Sequence, residues 1–358
     1  MGSLLFRYLI GYALSGLDRT PYEYTMPSTP QAFVPAWWLP GPHLQTLWPA
    51  LCRRIPKLEV QRQRLATPDG DFLDLDWFGP AGKPLAILLH GLSGSSRSIY
   101  ILGMQQALAR SGWGSVALNF RGCSGHPNDT ARCYHSGETS DLDFVYRWIR
   151  AHHPERSIAV IGFSLGGNVL LKWLGEQGSA RDVLAAVAVS APLQLNLCAD
   201  RLDQGLSRLY RNSLLAELKA FVHWKRVHLS RQGRAEEAEK LAALGDLSDI
   251  QSFWQYDDRV VARLYGFRDA AHYYQSSSAR AYLNGIQRPT LIIHARNDPF
   301  MTPSVVPKES ELSPWVQMEL SGDGGHVGFV GGTVPGRPCY WLETRIPAFL
   351  MSRLESPC

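Results

Sequence analysis

The chain has 358 residues, 45% of them hydrophobic and 19% charged, long enough to bury on the order of three quarters of its unfolded surface. Its formal net charge of +4 is small for that length and no Lys/Arg run is interleaved with aromatics, so nucleic acid is excluded as an expected partner. Six scattered cysteines (Cys52, Cys123, Cys133, Cys198, Cys339, Cys358) show neither a C-x-x-C pair nor zinc spacing. They read as free thiols of a reducing, cytoplasmic compartment, with no metal site.

Residues 3–17 are apolar but interrupted by Arg7, and they fall short of the roughly 20 residues that cross a bilayer. No small-residue cleavage site follows, and one arginine anchors weakly to a membrane surface. The stretch reads as packing on the domain or as an extension rather than as a membrane contact. Residues 27–56 carry Pro35, Pro40, Pro42 and Pro49, which argue against a long helix, and Trp37, Trp38 and Trp48, which call for burial. Residues 1–57 are therefore expected to extend from the main domain and wrap over it, with His43 a hydrogen-bonded structural histidine.

From residue 58 the pattern alternates on either side of Pro68-Asp69-Gly70, predicting an antiparallel hairpin. Continuous apolar runs follow at 85–89, 115–120, 158–161, 183–189 and 290–294, separated in part by helix-like segments at 99–110 and 141–151. Such runs suit strands buried on both faces, which predicts an α/β fold with a mostly parallel sheet covered by helices. The alternation lapses over 193–285, a helix-like insertion expected to cap one end of the sheet, its charges on a solvated outer face. Strands resume after it, and a closing helix is predicted at 342–350, shortened by Pro347. The core is thus expected over 58–192 and 286–358.

The stretch Gly162-Phe163-Ser164-Leu165-Gly166 follows one of these strands directly and runs into a helical pattern, as a nucleophile elbow requires. A serine hydroxyl needs a base, itself oriented by a third group. Asp298 stands just past the run at 290–294, and His326 just past a strand predicted at 315–320, so both project from the sheet edge that carries Ser164. Among the rival acids, Asp323 is too local to His326 to orient it easily, Asp269 falls in the cap, and Asp257 and Asp258 lack a preceding strand. The other histidines precede the acid, lie in the cap or, like His294, sit inside a strand. An oxyanion hole needs two backbone amides. Leu165, next after the serine, and Leu92, in the glycine-rich loop His90 to Ser96, are the candidates. That loop lacks the Lys-Ser/Thr of a phosphate-binding P-loop.

Taken together, HGLSGSSRSIY, NFRGCSG with the later YHSGET, GFSLGGN, the NDPF turn, GGHVGF and PAWWLPGPHLQTLWP resemble the YheT-like branch of the α/β-hydrolase superfamily over roughly residues 34–350. The resemblance implies an α/β-hydrolase fold with a helical cap, serine esterase activity, and the triad Ser164, Asp298 and His326. It also brings phospholipid substrates into view, because related eukaryotic members include medium-chain phospholipases. The expected function is hydrolysis of small carboxylic esters with short or medium acyl chains, without a cofactor. Acyl transfer or phospholipid cleavage would run on the same triad, and a non-catalytic binding module on the same scaffold is the reading from another class.

Overall fold

Residues 32–82 and 84–355 are described by a computed structural model; residues 3–17 and Cys358 lie outside them. The apolar runs form the middle of an eight-stranded sheet ordered β1-β2-β4-β3-β5-β6-β7-β8. The strands are β1 (Gln61–Ala66), β2 (Phe72–Phe78), β3 (Leu85–Leu89), β4 (Gly114–Asn119), β5 (Ile158–Phe163), β6 (Ala185–Val189), β7 (Thr290–Ala295) and β8 (Val316–Ser321). Strand β2 pairs antiparallel with β1 and with β4, while every pair from β4 to β8 is parallel. The β1–β2 hairpin is held by two cross-strand pairs, Arg62 on Asp76 and Arg64 on Asp74, each bidentate at 2.7–2.9 Å. Opposite charges in directly facing positions fix its register.

Helices cover both faces, as the unbroken apolar strands require. Ile101, Met104 and Leu108 of α2 (Ile99–Arg110), with Ile346 and Phe349 of α9 (Leu342–Glu355), pack on one face against Ala86, Leu88 and Ile161. On the other, Leu142 and Val145 of α3 (Ser140–His152) and Val169 and Trp173 of α4 (Leu165–Gln177) cover Leu85, Ile87 and Val160. Successive strand residues point to opposite layers, so each strand feeds both cores. Helix α9 runs on through Pro347 rather than stopping near it.

Between β6 and β7 the chain leaves the sheet and forms α5 (Leu195–Leu202), α6 (Ser207–Arg231), α7 (Ala235–Ala242), a helical run from Phe253–Tyr256 through the π-turn Asp257–Ala262 to Arg263–Tyr265, and α8 (Ala270–Ser277). These share an apolar core of their own, including Leu215, Leu229, Phe253, Tyr256 and Tyr273. Their charges are not all outside. Lys225 of α6 is fully buried, its ammonium donating to Asn128 Oδ1 at 2.6 Å and to the Arg132 carbonyl.

The Pro- and Trp-rich segment departs from expectation in two ways. A twelve-residue helix, α1 (Gly41–Cys52), forms with Pro42 in its first turn, where no amide donor is needed, and Pro49 near its end. Trp37 is 69% exposed, its indole donating to the Thr333 carbonyl; Trp38 and Trp48 are half-buried and stack edge to face. Among the described residues no helix is long and apolar enough to cross a membrane, and no cluster of His, Cys, Asp or Glu is arranged to hold a metal ion. Among the described residues, Cys52, Cys123, Cys133 and Cys198 are free thiols.

Candidate active site

Four loops leave the carboxyl edge of the sheet and meet above it. After β5 the chain turns at Ser164 with φ +51° and ψ −121° and enters α4 at once. A non-glycine residue pays for such a conformation, so surrounding structure must impose it. The Ser164 amide donates to the Val189 carbonyl at 2.8 Å, and its carbonyl accepts from Gly167 at 2.9 Å. The flanking glycines are required by contact: a Cβ on Gly162 would come within 2.3 Å of the Gly166 carbonyl oxygen, and one on Gly166 within 2.6 Å of the His90 carbonyl oxygen.

The loops after β7 and β8 bring Asp298 and His326 to this serine. His326 Nε2 lies 2.9 Å from Ser164 Oγ, and its Nδ1 lies 2.8 Å from Asp298 Oδ2. Asp298 is 3% exposed, and its Oδ1 accepts from the Phe300 amide at 2.8 Å. With Nδ1 protonated toward the carboxylate, Nε2 is left to accept the serine proton. The rival acids are engaged elsewhere. Asp323 accepts from Asn297 Nδ2, Asp269 caps α8 through the His272 amide, and Asp258 accepts from the Ala270 amide; Asp257 binds the Tyr274 hydroxyl.

The loop after β3 supplies donors. Within Gly91–Ser96, the Gly91 amide donates to Tyr100 Oη, Ser93 to Tyr134 Oη, Gly94 to the Gly91 carbonyl, Ser95 to Ser98 Oγ and Ser96 to Asn119 Oδ1, all at 2.9–3.0 Å. The Leu92 amide alone in this loop has no acceptor among the described residues, and the Leu165 amide at the start of α4 has none either. His90 sets the loop's path, with Nδ1 on the Gly91 carbonyl at 2.7 Å and Nε2 accepting from the Phe120 amide at 3.1 Å. Burial pushes its pKa down to about 4, against the pull of the Gly91 carbonyl, so the ring is neutral.

Leu92, Ser164, Leu165 and His326 open into a cavity of about 100 Å³. Its wall is mostly apolar, with Leu195, Leu202, Leu214 and Phe253 from the helical insertion facing Phe300 and Met301 of the sheet edge.

The alpha/beta hydrolase fold family model matches residues 84–333, 250 positions that include Leu92, Ser164, Leu165, Asp298 and His326. The chain belongs to that family. It is 42% identical over 333 residues to the Escherichia coli (strain K12) protein named "Putative esterase YheT", covering 92% of this chain and 96% of that one. This places it in the YheT-like branch. Mouse phospholipase ABHD3 is 28% identical, over 92% of this chain and 80% of its own length. Among solved structures, the Pyrococcus furiosus esterase Pf2001 superposes with a TM-score of 0.50 at 17% identity, covering 84% of this chain and 98% of that one, a likeness of fold alone.

Several residues that build this candidate site had no role that sequence alone could assign. Thr46 of α1 accepts the His326 amide on Oγ1 at 2.9 Å. Phe300 stacks on the His326 ring at 4.1 Å and on Tyr210 at 4.9 Å, and Tyr210 Oη pairs with His43 Nδ1 at 2.9 Å. Asn168, fully buried on α4, donates to the Ser136 and Ser277 carbonyls and accepts from the Ala279 amide, tying the helix after Ser164 to the insertion's last turn. Thr46, Tyr100, Tyr134, Asn168 and Phe300 lie inside the stretches that carry the family resemblance, and Tyr210 lies outside them. Thr46, Tyr100 and Tyr134 are visible as partners only once the chain is folded.

Proposed function

We propose that the protein hydrolyses carboxylic esters of short or medium acyl chains through a Ser164-His326-Asp298 triad. Ser164 Oγ attacks the ester carbonyl as His326 Nε2 takes its proton. The amides of Leu92 and Leu165 bind the oxyanion, and His326 returns the proton to the departing alcohol. Water, activated by the same imidazole, then attacks the acyl-enzyme, releasing the acid and restoring the serine. Asp298 holds the ring and stabilises the imidazolium formed in each half.

The observation that carries this reading is the unbroken relay of 2.9 and 2.8 Å from Ser164 through His326 to Asp298, opening into an apolar cavity. The names of the relatives, esterase and phospholipase, support ester bonds as the target. The mouse relative also supports a second reading, cleavage of a phospholipid acyl ester by the same residues.

Treatment with a fluorophosphonate followed by peptide mass spectrometry tests the first step, with the adduct expected on Ser164. An adduct on Ser93, Ser95 or Ser96 and none on Ser164 would overturn the assignment. Turnover of alkyl esters and of medium-chain phosphatidylcholine, compared at equal concentration, decides between the two substrate readings.

A further inference from the structure

Asp257 takes no part in the ester chemistry above, yet it stands in the wall of the substrate cavity. It begins the π-turn Asp257–Ala262, a rare backbone form that recurs at functional sites. The side chain is buried, and the Tyr274 hydroxyl donates to its Oδ2 at 2.7 Å. Its Oδ1 has no hydrogen-bond partner among the described residues. The same residue lines the cavity over Ser164 and a second one beside it, bounded by Leu218, Phe221, Val260 and Leu264, and among the described residues it is the one acidic side chain in either wall.

A carboxyl group with one free oxygen is costly in an apolar wall, and a purely alkyl guest would leave it unsatisfied. An ammonium group would have to shed its water for a single carboxyl, in walls that are mostly apolar or aromatic and offer no second acid among the described residues. A hydroxyl fits better, because it can donate to a carboxylate or accept from a carboxylic acid. Both forms are present near neutrality, since burial pushes Asp257 up to about 7 against the pull of the Tyr274 hydroxyl.

We propose that Asp257 Oδ1 is a hydroxyl-recognition subsite, so that the preferred substrate is an ester bearing a free hydroxyl on the group that lies under the helical insertion. The proposal rests on the esterase reading and narrows its substrate class. The hydroxyl can belong to the acyl chain or to the alcohol, and matched substrates separate the two. One arm compares 4-nitrophenyl hexanoate and octanoate with their ω-hydroxy counterparts. The other compares alkyl butyrates with the monobutyrates of the matching α,ω-diols.

In one arm the hydroxylated ester should show kcat/KM about tenfold higher. Asp257→Leu should erase that preference, and Asp257→Asn, which keeps the shape and a donor and acceptor, should retain most of it. Equal kcat/KM within both arms for the unaltered enzyme overturns the proposal, as does a preference that survives Asp257→Leu. Fluorophosphonate labelling in the same samples keeps the two readings apart. Labelled, ester-cleaving enzyme without a hydroxyl preference removes only the subsite, whereas failure to label Ser164 removes the esterase reading itself.

Discussion

Asp298 and Asp323 flank the same histidine loop, and the difference between them is one of partners. Asp298 faces His326 Nδ1 with its second oxygen held by the Phe300 amide, whereas Asp323 is tied to Asn297. Asp298→Asn should therefore lower kcat by about 10⁴ with the fold intact, because the amide favours the wrong tautomer, while Asp323→Asn should change it only a few-fold. Steady-state kinetics of both variants checks this, and the reverse ranking would move the acid to Asp323. A second prediction concerns His90. Its folded pKa, about 4, lies below the unfolded value of about 6.5, so the unfolded chain binds the extra proton. Stability is thus full above about 6.5 and is lost as pH falls toward 4. Between about pH 7 and about pH 5 the wild type should lose about 2 kcal/mol more than His90→Asn in denaturant titrations; equal losses would show that the ring titrates as freely as in the unfolded chain. That Ser164, Asp298 and His326 would meet at one edge of the sheet was readable from sequence because each stands just past a predicted strand. The partners of the Leu92 loop were not, since Tyr134 is brought in from 41 residues away by folding alone.

At the level of elements, the sheet was legible because strands buried on both faces cannot afford polar interruptions; β3 spans residues 85–89 as predicted, and β5 and β7 differ only at their ends. The segment before β1 was harder to read. Its prolines argued against a long helix, but Pro42 sits where a helix tolerates it, and the twelve-residue α1 forms and reaches the site. The fully buried Gln45 donates to the Leu39 and Val330 carbonyls and accepts the Val330 amide, while Thr46 accepts the His326 amide. Close approach locks the two segments together, since a Cβ on Gly328 would meet the Gln45 carbonyl oxygen at 2.2 Å. Helix α1 is therefore a brace for the histidine loop. Thr46→Val keeps the shape and removes the acceptor, which should cost stability of about 1–3 kcal/mol and lower kcat about tenfold with KM little changed. An unaltered kcat with lowered stability would reduce α1 to a structural cover.

For the whole molecule, the open question is how the helical insertion divides its apolar surface between packing and substrate. Composition could not sort this: Leu206, Leu209 and Trp224 are 61%, 67% and 43% exposed, whereas Leu214, Phe253, Tyr273 and Tyr274 line the cavity over Ser164. Trp254 and Phe267 are equally aromatic in sequence but are taken up by packing, Trp254 donating to Asp200 and meeting Tyr274 edge to face, Phe267 packing on His135 and Tyr273. The insertion is also pinned to the sheet side, through buried Lys225 on Asn128 and through Asn168 on Ser277 and Ala279. A wall held in this way should measure chain length rather than yield to it. Each buried methylene contributes about 0.8 kcal/mol, so kcat/KM for 4-nitrophenyl esters should rise roughly tenfold for every two carbons that still fit, then fall where the chain meets the wall. Phe253→Ala and Leu214→Ala enlarge that wall and should shift the maximum to longer chains, whereas Trp254→Ala, behind it, should leave the maximum in place. A flat profile from acetate to palmitate that none of the three substitutions alters would mean that the acyl chain does not lie against these helices.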